Sequence, residues 1–223
     1  MRYKVLSLLG VGILVFVISS APFAYGSVPA LSLSDGSTSL VVTDNAVGDS
    51  LASVGGVLYT GALGANWNVT VSGLSKPIVG SAASPVMSLS ISATSSGAGT
   101  LTIRWSDNFF GPTSAAVTDQ TGSTLIGTAS YATYADSANG LFAQTTLLTS
   151  QGPFGPGATN NTVLGSLSLG SPYSLTLDAV LSHTDSGTSS LNETVVIPEP
   201  CTWALITIGL VGALLVRRRG RTE

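Results

Sequence analysis

A single histidine, a single cysteine and a charged fraction of 9% are all that this 223-residue chain offers to reaction chemistry. One cysteine, Cys201, excludes a disulfide within the chain and any site built on several thiolates. One histidine, His183, excludes histidine-rich metal centres and would have to serve any Ser-His-Asp arrangement, for which the Gly-x-Ser-x-Gly turn is also missing. It sits beside Thr184 and Asp185 in a stretch that reads as a solvated loop. Basic side chains are the scarcest of all in the middle of the chain. Between residues 27 and 197, Lys76 and Arg104 stand against eight aspartates and Glu193, a formal charge of minus 7 that the overall value of -3 conceals. A weakly charged, acidic body excludes nucleic acid and anionic membrane surfaces as partners and stays compatible with neutral or cationic glycans. Convincing helical periodicity is absent from the body as well.

What remains is rich in Ser, Thr, Gly and Ala, with apolar residues in alternation. Met87, Leu89, Ile91 and Ala93 are separated by Ser88, Ser90 and Ser92, the period of a strand with one buried face and one hydroxyl face. The same period runs through Leu101, Ile103 and Trp105, through Tyr173, Leu175, Leu177, Ala179 and Leu181, and through Trp67, Val69 and Val71. Weaker versions cover 40–43, 54–60, 123–135, 141–149 and 163–169, and residues 191–197 make a last strand after a hairpin turn in 182–190. Asp35-Gly36, Ser95-Ser96-Gly97, Phe110-Gly111-Pro112, Ala138-Asn139-Gly140 and Ser186-Gly187 supply turns between them. Roughly ten antiparallel strands in one domain imply an all-β sandwich, jelly-roll or immunoglobulin-like, because a single sheet cannot cover so many apolar faces. Residues 151–161, with two prolines and three glycines, are expected to form an exposed loop.

One body segment concentrates polar and aromatic groups: Arg104, Trp105, Asp107, Asn108 and Phe109, followed by Phe110. Aromatic faces beside bidentate polar groups are the mixture that holds a sugar ring, so these five are the candidate glycan contacts. The alternation Leu101, Ile103, Trp105 also allows Trp105 to point into the core. No metal site is expected. Asp44, Asn45 and Asp49, or Asp35 with nearby carbonyls, supply hard oxygens without the spacing of a calcium loop, and aspartates at strand ends ordinarily make turns. No catalytic set and no cofactor are expected either. The sequons at Asn68, Asn160 and Asn192 arise readily in so Ser- and Thr-rich a chain.

The two ends carry an address. Arg2 and Lys4 precede an apolar run from Val5 and then small residues, a secretory signal peptide over 1–26 with cleavage expected before Ser27. At the other end come Pro198, Glu199 and Pro200, an extended tag lacking two backbone donors. An uncharged run over 201–216 follows, which as a transmembrane helix spans roughly 24 Å. Arg217, Arg218, Arg219 and Arg221 then hold the far end on the cytoplasmic side. A plain anchor would use Trp203 and the arginines alone, and a glycolipid-anchor signal would end apolar. Pro-Glu-Pro tag, short apolar helix and basic cluster in this order resemble the PEP-CTERM sorting signal of exported bacterial proteins, over about residues 196–221. The resemblance implies an exosortase as partner after signal peptidase, inner-membrane anchoring before sorting, cell-surface or extracellular delivery, and association with exopolysaccharide or biofilm. The expected protein is therefore a signal peptide (1–26), a β-sandwich body (27–197) and a sorting signal (198–223), exported and non-enzymatic. A carbohydrate-binding module is the alternative, and a secreted hydrolase using paired aspartates the third reading.

Overall fold

The computed structural model describes residues 26, 28–170 and 172–199. The signal peptide, Pro200, the apolar run 201–216 and the four terminal arginines lie outside the described residues. Twelve strands make up the body: β1 (Ala30–Ser34), β2 (Ser39–Thr43), β3 (Gly56–Leu63), β4 (Trp67–Leu74), β5 (Val86–Ser95), β6 (Gly99–Phe110), β7 (Thr113–Leu125), β8 (Thr128–Asp136), β9 (Thr146–Phe154), β10 (Gly157–Leu169), β11 (Tyr173–His183) and β12 (Gly187–Val196). They form two six-stranded sheets, ordered β2-β1-β6-β11-β8-β9 and β10-β7-β12-β5-β4-β3. Every pairing is antiparallel. The two N-terminal hairpins widen one side of the sandwich. From β5 onward the chain passes back and forth between the sheets, keeping only β8 and β9 as consecutive neighbours in one of them.

The strong alternations fall where they were expected. Met87, Leu89, Ile91 and Ala93 of β5, Leu101, Ile103 and Trp105 of β6, and Leu175, Leu177, Ala179 and Leu181 of β11 are all buried in the layer between the sheets. Their hydroxyl-bearing neighbours turn outward, so burial of alternate side chains drives both strand formation and the stacking of the sheets. Trp105 sits at the centre of this layer, wholly buried, with Nε1 donating to the Leu74 carbonyl at 3.1 Å. Its indole faces Gly73 of the opposite sheet, where an added Cβ would lie 2.4 Å from the ring.

Several expectations are corrected. Residues 151–161 are not a loop: they are the end of β9, a two-residue turn and the start of β10, which pairs with β7 along its whole length. Prolines suggested a loop, yet Pro153 lies on an edge strand, where a missing donor breaks no ladder. The longest connections run instead over 44–55 and 75–85, with a shorter one over 137–145. Strand count rises from about ten to twelve because β1 and most of β7 were not read. In β7 the inward residues Thr113, Asp119, Thr121 and Ser123 are polar, which erases the alternation although the strand is half-buried. The stretch 123–135 is two strands with a turn at Ile126 and Gly127. His183 is not solvated: it is 3% exposed at the end of β11. Ser95 Oγ lies 2.7 Å from its Nδ1, Ser189 Oγ lies 2.8 Å from its Nε2, and the Trp67 ring packs at 4.9 Å between centroids.

Candidate functional site

The outward face of the first sheet is where polar and aromatic side chains collect. Register sets Ser106, Thr176 and Tyr134 in one row across β6, β11 and β8, and Arg104, Asp178 and Ala132 in the next. Arg104 Nε meets Asp178 Oδ2 at 3.2 Å, and Gln144 Nε2 donates to the same carboxylate oxygen. Asp178 Oδ1 is buried and has no partner. Asp178 is only 8% exposed, so one of its oxygens is held by Arg104 and Gln144 and the other is sealed from solvent without a donor. Tyr134 stands in the neighbouring row and Phe142 is tied to Ser106 of that row, both half-buried.

The connection 137–145 builds one wall of this face. Asp136 begins it, its Oδ2 accepting from Gly140 N at 2.8 Å and its Oδ1 from Thr145 Oγ1 at 2.9 Å, and the Gly140 hydrogen bond holds its carboxyl below the usual range. Phe142 N donates to Ser106 Oγ at 3.0 Å, Ser174 Oγ to the Gly140 carbonyl at 2.6 Å, and Phe109 N to Asn139 Oδ1 at 2.7 Å. Phe109, Asn139 and Phe142 all have φ near +60°. A bulky residue in the left-handed region costs roughly 1–3 kcal/mol, so these hydrogen bonds hold a strained wall in one shape.

The five candidate contacts separate. Arg104 lies on the outward face and Trp105 in the core, as the alternation allowed. Asp107 is wholly buried, accepting from Ser75 Oγ at 2.6 Å, Lys76 Nζ at 2.8 Å and Asn108 N at 2.7 Å. Burial lowers the Lys76 pKa against the opposing pull of Asp107, and Lys76 Nζ also lies 4.0 Å from the Phe110 ring centroid. Asn108 and Phe109 are half-buried at the strand end, Asn108 Oδ1 without a partner. Sequence reasoning missed Asp178, Gln144, Tyr134 and Phe142. One signal was available: Asp178 is the only acid in β11 and shares the outward parity of that strand.

Asp35, Asp44 and Asp49 are occupied as turn formers. Asp49 accepts from Asn45 N, Leu51 N and Leu58 N, Asp44 from Gly55 N and Asn45 Nδ2. Asp35 accepts from Thr38 N and Ser37, which lowers its pKa. Among the described residues no three His, Cys, Asp or Glu side chains are grouped to hold a metal ion. Around His183 the donors define the tautomer: Ser95 Oγ gives its proton to the Asp185 carbonyl and Ser189 Oγ accepts from Ile126 N. Nδ1 therefore carries the hydrogen and Nε2 accepts from Ser189. Both ring nitrogens are satisfied inside the core, and burial pushes the pKa down.

No family model matches the chain, and no curated protein does. Solved structures resemble it weakly. The enzymatically active domain of bacteriophage CBA120 tailspike protein 4 aligns at TM-score 0.33 and 11% identity over 60% of this chain, which spans 19% of that one. The K1 cleaved adhesin domain of Lys-gingipain from Porphyromonas gingivalis aligns at 0.29 and 14% over 63% of this chain and 96% of its own. A structure titled for carbohydrate-binding modules of the β-sandwich superfamily gives 0.29 and 14% over 78% and 72%. At such scores nothing about function follows from the likeness.

Proposed function

We propose that this chain is an exported, non-enzymatic cell-surface or matrix protein whose body binds a neutral polysaccharide on the outward face of the first sheet. The observation that carries the binding is the cluster of Arg104, Asp178 and Gln144, with Arg104 and Gln144 reaching the surface from the buried Asp178 carboxylate, beside half-buried Tyr134 and Phe142 on a wall fixed by hydrogen bonds. Charged forks and amide groups suit the vicinal hydroxyls of a sugar, and half-exposed rings suit its apolar face. Of the two sandwich variants we assign the jelly roll. The orders β6-β11-β8-β9 and β5-β12-β7-β10 interleave as two Greek keys, with the N-terminal hairpins added outside them. A Ser-His-Asp reaction is disfavoured because His183 is enclosed and fully hydrogen-bonded.

The address belongs to the same reading. Ile197 is buried and its N donates to the Pro85 carbonyl at 2.9 Å, whereas Glu199 is exposed. The tag thus starts immediately after the last residue the body holds, with the Glu199 carboxylate exposed for an exosortase to read. The test of binding is affinity electrophoresis of the body, residues 28–197, through gels containing exopolysaccharide from the producing cells. Retardation is expected for the wild type, with at least a ~10-fold weaker affinity in Arg104→Ala and Asp178→Ala. Equal mobility in gels with and without polysaccharide would reject the binding reading.

A further inference from the structure

Toward the side closed by β9 and β10, the layer between the sheets changes from apolar to polar. Asp119 of β7 and Glu193 of β12 both point inward and are 0% and 1% exposed. From the opposite sheet, Thr149 Oγ1 reaches Asp119 Oδ2 at 2.7 Å, Thr133 Oγ1 reaches Glu193 Oε1 at 3.3 Å, and Gln151 Nε2 reaches the Asp119 carbonyl at 3.1 Å. Thr121 Oγ1 donates to Gln151 Oε1 at 2.9 Å. Two buried carboxylate oxygens here have no partner, Asp119 Oδ1 and Glu193 Oε2, and the 2% exposed Tyr131 brings its phenolic hydroxyl, with Ser123 beside it, into the field of both carboxylates.

We propose that Asp119 and Glu193, with the oxygens of Thr133, Thr149, Gln151 and Tyr131, form a site for a divalent cation of the size of Ca2+, clamped between the two sheets. Two desolvated carboxylates side by side need compensating charge. The two described cationic side chains do not supply it, because Lys76 is engaged by Asp107 and Arg104 by Asp178. Burial pushes the pKa of both carboxyls up, that of Glu193 furthest, yet a proton alone does not match the free oxygens: placed on Asp119 Oδ1 or Glu193 Oε2 it becomes a buried donor without an acceptor. A dication neutralises the pair and takes the unmatched oxygens as ligands. The donor set is oxygen only, which favours Ca2+ over zinc, and mixes carboxylate with neutral oxygens as calcium sites do. Enclosure between the sheets means the ion enters as the body folds.

The test uses the full chain in detergent, refolded in excess Ca2+ or in EGTA, followed by thermal unfolding and by Tb3+ luminescence excited through the protein's aromatic rings. Wild type is expected to melt about 5 to 10 °C higher in Ca2+ at a hundredfold excess over Kd. That shift should vanish in Asp119→Asn/Glu193→Gln and persist in Asp44→Asn/Asp49→Asn, which alters the exposed aspartate turn. Tyr131→Phe should lower the Tb3+ emission several-fold. Equal melting of wild type in Ca2+ and EGTA would overturn the site, as would a shift that survives the interior double variant. Should that variant not fold, Tyr131→Phe decides: reduced emission supports the site and unchanged emission rejects it.

Discussion

A histidine alone in a Ser-rich, acidic chain reads as a solvated loop residue, and nothing local says otherwise. His183 is buried because Ser95 of β5 and Ser189 of β12 reach it from the other sheet, contacts made by residues 88 and 6 positions away. Protonation would turn Nε2 into a donor facing a serine oxygen that already accepts from Ile126 N. Burial holds the folded pKa below that of the unfolded chain, so the unfolded state takes up a proton first as the pH falls. The stabilisation is present above the unfolded value of about 6.5 and is lost as the pH drops toward the folded one. In urea unfolding, His183→Asn should therefore cost about 1–3 kcal/mol at pH 7.5, with a smaller gap from wild type at pH 5. A gap that grows on acidification would contradict the neutral, enclosed imidazole. Asp178 shows the same limit on sequence reading: its place on an outward face was legible, while its pairing with Arg104 needed the register of β6 against β11.

Among the elements, those whose inward positions are apolar were legible, and those with polar interiors were not. β4, β5, β6 and β11 announce themselves by period two, since burial of Val, Leu, Ile and Trp is what forms them. β7 hides because Asp119, Thr121 and Ser123 take core positions, and of these Asp119 belongs to the inferred cation site. β10 was read only over 163–169, because its exposed N-terminal half draws its order from pairing with β7. Sheet-to-sheet packing depends on one small residue that no pattern marks. Gly73 of β4 leaves room for Trp105 of β6, and a Cβ there would meet three indole carbons at 2.4 to 2.8 Å. Gly73→Ala should lower stability by about 1–3 kcal/mol through overpacking, seen as a reduced urea midpoint with the slope retained. An unchanged midpoint would mean that the sheets separate freely at this point.

For the molecule as a whole, an acidic, hydroxyl-covered sandwich was foreseeable from composition and alternation, while strand order and the shape of the binding face depend on crossings that no local pattern encodes. Ile197 is the last buried residue of the body, and in the proposed function the sorting tag begins at the next residue, Pro198, with no spacer between them. Under that proposal, an enzyme that reads the tag would work against the edge of a folded domain. A plain anchor makes no use of the Glu199 carboxylate, whereas a recognised tag offers it to a polar or cationic pocket. Mass spectrometry of the surface and medium fractions, for wild type and Glu199→Ala produced in the native cells, separates the two. The account predicts a mature wild-type form lacking the residues beyond about Pro200 and an uncut Glu199→Ala chain retained in the inner membrane. Full-length tails to Glu223 in both would contradict it and leave the tail a simple anchor.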